Sequence, residues 1–139
     1  MIRRRTVAAL GASQLVGWGV TYYLIGPLAP YIAAELGWSG ASIYGGLSAA
    51  LAVMGLTSPL VGRLIDRHGG APVMAAGSIA TGLGCATLAL AHDLVTYYAA
   101  WLCLGVAMRL TLYDAAFAAL ARLGGDQARR PMSQITLLG

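Results

Sequence analysis

Arg109 and Asp114 are the only charged residues between Leu94 and Leu120. A guanidinium and a carboxylate in an apolar run can hold an anion, take part in proton transfer or pair with groups on another helix. Five residues turn a helix by about 500°, so the two side chains are expected to point about 140° apart. Each is therefore expected to find a partner on another helix, in a watery cavity or in a bound solute. Gln14, Trp18 and Tyr22 recur at spacing four, which sets them on one helix face. That face is either a packing stripe with one hydrogen-bonding amide or a wall of a polar cavity.

A second polar concentration is GRLIDRHGG, where Gly62, Arg63, Leu64, Asp66, Arg67 and Gly69 stand between two long uncharged runs. Asp66 falls near the end of a helix, where the helix dipole disfavours an anion. It needs a cation or another helix N-terminus nearby, and Arg122 is one candidate. Enzyme chemistry finds no support. There is no Ser/His/Asp cluster, His68 and His92 belong to connections on opposite sides, and Cys85 and Cys103 carry no metal-ligand spacing. No cofactor is called for.

The elements that position these residues are read from charge. Charged residues make up 10% of the 139, hydrophobic residues 58%, and the mean hydropathy is +0.71. A soluble domain carries about 25% charged residues. Val7–Ala34, Leu36–Gly62 and Gly69–Ala91 hold no charge at all. About 20 apolar residues suffice for a helix to cross a bilayer. The chain is therefore expected to be all-α and integral to the membrane. Its spans are placed at about 7–33, 42–64, 72–91 and 94–121, with 131–139 opening a fifth. Pro27 and Pro30 predict a kink in the last third of the first span. Arg109 then lies about 22 Å into the fourth span, near mid-bilayer, where a charge costs about 2.5–3.5 kcal/mol on insertion scales. Small-residue rows, Ser42–Gly46–Ala50 and Ala76–Ala80–Gly84, predict close helix packing. Tyr97, Tyr98 and Trp101 are expected as anchors at the membrane interface.

All nine cations are arginine. Arg3, Arg4 and Arg5 precede the first span, Arg63 and Arg67 separate the second from the third, and Arg122, Arg129 and Arg130 follow the fourth. The other connections, AELGWSGAS and AHDLV, contain none. This is the positive-inside pattern, and it places the N-terminus in the cytoplasm of a multi-pass inner-membrane protein. A nucleic-acid partner is excluded, because the arginines punctuate lipid-length runs. The opening MIRRRTVAALGAS is too long in its apolar part for a cleaved signal peptide.

Gly62-x-Leu64-x-Asp66-Arg67-x-Gly69, after the second span, resembles the signature loop of the major facilitator superfamily. GWGVTYYLIGPLAPYIAAELGWS and LYDAAFAALARL are similar to bacterial members, loosely to monocarboxylate and oxalate/formate carriers. The sequence departs from the family in two places. Gly70 and Ala71 stand where basic residues usually end the loop, and Trp101 stands where an arginine often precedes a glycine, here Gly105. The resemblance implies four spans of a six-helix N-terminal half within a twelve-helix carrier, cut short. It implies that Asp66, with Arg63 or Arg67, braces the two halves, and that the first and fourth spans line the cavity. Gln14, Trp18, Tyr22, Arg109, Tyr113 and Asp114 are then cavity residues. The implied partners are the bilayer, a small solute with a coupling proton or exchanged anion, and the remaining C-terminal spans. The 139 residues alone are expected to be inactive. The alternative is a self-contained four-span protein acting as an oligomeric small transporter or as a scaffold. Small multidrug carriers, however, keep an essential acid within span one, whereas Glu35 sits at its outer end.

Overall fold

A computed structural model describes residues 4–138, without the side chains of Asp126 and Leu138. Arg3 and Gly139, at the two ends of the expected topology, lie outside the described residues. Seven α-helices follow one another: α1 Arg4–Val20, α2 Ile25–Leu36, α3 Gly40–His68, α4 Gly70–Ala89, α5 Leu94–Thr111, α6 Tyr113–Gly124 and α7 Arg129–Leu138. A 3-10 turn, Gly125–Ala128, joins the last two, and no strand occurs among the described residues. Among the described residues, three segments are long and apolar enough to cross a membrane: α3 with 29 residues, α4 with 20, and α5–α6 taken together with 31. Their outward faces are apolar, as lipid requires, with Leu56 79% and Val95 80% exposed.

The expected first span is not one helix. It divides into α1 and α2 around Thr21–Leu24, upstream of both prolines. The reason is the geometry of proline: its ring displaces the carbonyl four residues earlier and supplies no N–H to it. For Pro27 that carbonyl belongs to Tyr23, which accepts from Gly26 at 3.3 Å instead. The Tyr23 N–H in turn reaches back five residues, to Trp18, at 3.0 Å. Pro27 itself sits in the first turn of α2, where no N–H is needed.

Packing centres on α5, which contacts both α3 and α4 extensively. The Ser42–Gly46–Ala50 row faces α5: a Cβ at Gly105 would lie 2.4 Å from the Ala50 carbonyl oxygen, so the two backbones touch. On α4 the row differs from the expectation. Ala76 is exposed, and the buried small residues are Gly70, Gly77 and Gly84. At spacing seven they share a face, and they pack on Ala119, Leu110 and Leu104 respectively. The aromatics at the start of α5 are also not interfacial anchors as expected. Tyr97 and Trp101 are buried, the Tyr97 hydroxyl donating to the Ile43 carbonyl at 2.7 Å. The Tyr98 hydroxyl donates to Ser42 at 2.9 Å. Their polar tips tie α5 to the first turn of α3 rather than to the headgroup layer.

Candidate functional site

The segment carrying Arg109 and Asp114 is interrupted between them. Leu112 adopts an extended conformation (φ −77°, ψ −170°), ending α5 at Thr111 and starting α6 at Tyr113. Neither glycine nor proline causes it. Thr111 bonds back through its hydroxyl to Ala107 at 2.8 Å, a local bond that loosens a helix. In an unbroken helix Ala115 N–H would bond the Thr111 carbonyl. Here it bonds Leu112 at 3.1 Å, and Thr111 is left over. Gln14, wholly buried on α1, donates its Nε2 to that carbonyl at 2.9 Å. The amide thus completes a helix end 97 residues away in the chain.

The interruption also overturns the expected separation of the two charges. Arg109 Nη1 donates to Asp114 Oδ2, and this is the only ion pair among the described residues. The 140° estimate assumed a continuous helix, and the extended residue removes that premise. Arg109 lies in the last turn of α5 and Asp114 in the first turn of α6. Each charge therefore faces the helix end that suits it, a cation at a C-terminus and an anion at an N-terminus. The pair is asymmetric in exposure, the Arg109 side chain at 21% and Asp114 at 57%.

Trp18 joins the two halves of this region. Its ring centroid is 5.6 Å from Tyr22 and 5.5 Å from Tyr113, which stacks on Phe117 at 5.4 Å. All six residues singled out as cavity candidates therefore fall at or beside the break. Sequence reasoning missed Thr111, Leu112 and Phe117. Phe117, one helical turn after Tyr113, is the one that spacing could have found. Four buried side-chain polar atoms lack a hydrogen-bond partner among the described residues, and three belong here: Gln14 Oε1, Trp18 Nε1 and Arg109 Nε. A groove of about 420 Å³ opens beside the Gln14–Thr111 bond, lined by Ser13, Gly17, Ser78, Thr81 and Thr111. A smaller cavity of about 280 Å³ lies at the other end of α5, bordered by Glu35, Cys85, His92 and Tyr97.

The arginine-containing loop is a hinge one residue long. Gly69 (φ 87°) both ends α3 and begins α4, a backbone conformation that side chains other than hydrogen disfavour. A Cβ there would also lie 2.7 Å from Arg122 Nη1. Arg122 does reach this loop, as its sequence position suggested, but it meets backbone: Nη2 donates to the Asp66 carbonyl at 3.3 Å. A cation there compensates the C-terminal end of α3. Arg63, Asp66 and Arg67 are exposed, and Leu64 is 42% exposed. Space is open around Gly62.

No curated protein and no solved structure matches the chain. A family model described as Major Facilitator Superfamily matches residues 12–132, which include the broken helix, its α1 partner and the loop. An all-helical chain with three membrane-length segments, matched over nearly its whole length, belongs to the major facilitator superfamily, a family of multi-pass membrane transporters.

Proposed function

We propose that this transporter moves a small organic anion across the inner membrane, and that the interruption at Leu112 forms part of its binding site. The observation that carries this reading is the coincidence of the helix break, the Arg109–Asp114 pair and three unpartnered buried polar atoms at one level. Carriers place broken helices and unpaired polar groups where solute must be held and released. A carboxylate on the solute would take the place of Asp114 on Arg109, since a guanidinium offers the same two-pronged geometry to either. Gln14, Trp18, Tyr22 and Tyr113 would then form the neutral wall. A coupling proton taken up by Asp114 would compensate the cation it loses as a partner; in an exchanger Asp114 would instead re-pair with Arg109 as one anion leaves and before the next arrives.

In this reading the N-terminus and the α3–α4 loop face the cytoplasm, following the arginines. Asp66, with Arg63 or Arg67, braces this part of the molecule against C-terminal spans as the two halves rock. The 139 residues by themselves do not complete a translocation path. The test is uptake of labelled formate, oxalate, lactate and pyruvate into liposomes holding the full-length protein. At least one is taken up, and Arg109→Ala lowers that uptake about tenfold or more. Unchanged uptake by the variant removes Arg109 from the site, and substrate-specific flux through the 139-residue chain alone overturns the incompleteness.

A further inference from the structure

The arginine-rich end of the molecule carries a feature that transport does not use. Two cavities adjoin at Gln134. One, about 460 Å³, is lined by Arg4, Val7, Ala8, Gln134 and Leu137. The other, about 330 Å³, is lined by Arg129, Arg130, Ser133 and Gln134. They lie where α1 and α7 pack together, with Val7 and Leu10 against the buried Ile135. Arginines from the first turns of two different helices thus border two cavities that share Gln134, with an apolar slot beside Arg4.

We propose that this cleft seats an anionic phospholipid, its phosphate held by Arg129, Arg130 and Arg4 and an acyl chain lying along Val7, Ala8 and Leu137. The chemistry selects the ligand. Guanidinium groups grip phosphate oxygens in pairs, and basic pockets between membrane helices hold anionic head groups. The α7 N-terminus adds its own positive end. A soluble anion would use the arginines but gain nothing from the apolar slot, where Leu137 is 86% exposed. The two arginines of the α3–α4 loop, Arg63 and Arg67, line neither cavity, so they serve as an internal control.

The experiment is native mass spectrometry of the full-length protein in detergent, titrated with phosphatidylglycerol or phosphatidylcholine of the same acyl chains. Phosphatidylglycerol is expected to bind at one site, more tightly than phosphatidylcholine. Arg129→Gln/Arg130→Gln weakens it by about thirtyfold, two basic residues each contributing about fivefold. Arg63→Gln/Arg67→Gln leaves it within about twofold, and millimolar glycerol 3-phosphate does not displace it. If the double variant does not fold, as judged by circular dichroism, Arg4→Gln alone gives about fivefold. Equal binding of the two lipids, unchanged binding by the arginine variants, or the same loss in the Arg63/Arg67 control overturns the proposal. Displacement by glycerol 3-phosphate overturns the lipid assignment in favour of a free-anion site.

Discussion

Trp101 and Leu112 stand eleven residues apart on one membrane-crossing segment, and their surroundings differ in kind. Around Trp101 the chain is closed. Ile43, Ala50, Leu104 and Trp101 are fully buried, the Tyr97 and Tyr98 hydroxyls find carbonyls, Gly105 lets two backbones touch, and one buried polar atom, Trp101 Nε1, lacks a partner among the described residues. Around Leu112 the helix is interrupted, its loose carbonyl is held by one amide from α1, and several buried polar atoms are left over. The first arrangement resists change, because close-packed backbones have no second arrangement nearby. The second is held by a few polar contacts that can be exchanged for others at small cost. A carrier needs both, a rigid wedge to transmit motion and an exchangeable seam to hold solute.

The largest test of this contrast is steric. Gly105→Leu drives a side chain into the Ala50 backbone and is expected to cost about 3 kcal/mol or more, read as a large fall in Tm in detergent. Gly82→Ala, where nothing lies within 4 Å, should leave Tm nearly unchanged. Equal effects would mean the two helices are not in contact.

The charge pair comes next, because it separates stability from function. Arg109→Gln and Asp114→Asn each strand a charge at membrane depth, and the double variant removes both. The double variant should melt above either single variant, by about 1 kcal/mol, yet remain defective in uptake. If the effects of the single variants simply add, the ion pair does not exist. Gln14→Leu should follow the same logic at smaller scale. It abandons one bond to Thr111, costs about 1 kcal/mol or less, and lowers uptake out of proportion to that loss.

At the closed end, Tyr97→Phe removes one hydroxyl bond between helices and should cost about 0.6 kcal/mol, with uptake unaffected. The smallest effect concerns the exposed N-cap of α5. Bonds from the Thr96 backbone N–H and hydroxyl hold the Asp93 carboxyl below the usual carboxylate range. A depressed folded pKa means its stabilising contribution is present above the unfolded value, near pH 4, and is lost as pH falls through the folded one. An acid melt of Asp93→Asn should therefore lack a small part of the wild-type stability loss below about pH 4.

What the sequence disclosed followed from local causes. Uncharged runs of membrane length marked the helices. Gly37 in the left-handed region ends α2 and Ser39 caps α3, both local effects of residue type. What stayed hidden depends on distant partners or on subtle backbone choices. Nothing in LTLYD announces a break, since no glycine or proline is there, and its stabilising amide arrives from Gln14. Pro27 was visible, but its effect falls one turn earlier than the residue itself. Tyr97 and Trp101 looked like interfacial anchors because position alone does not say whether an aromatic ring turns outward or toward α3. The candidate residues Gln14, Trp18, Tyr22, Arg109, Tyr113 and Asp114 were legible as types at spacings, whereas their convergence required the fold.

The proposed site requires that the broken level of α5–α6 face water rather than lipid. Asp114→Cys and Ile79→Cys, each in a Cys85→Ser/Cys103→Ser background of the full-length protein, can be compared in membrane vesicles with a membrane-impermeant maleimide. Ile79 is 67% exposed on an apolar helix face and serves as the lipid-facing reference. The expected result is labelling at position 114 and none at position 79. If position 114 proves as inert as position 79, the seam opens to lipid and the proposed site does not exist.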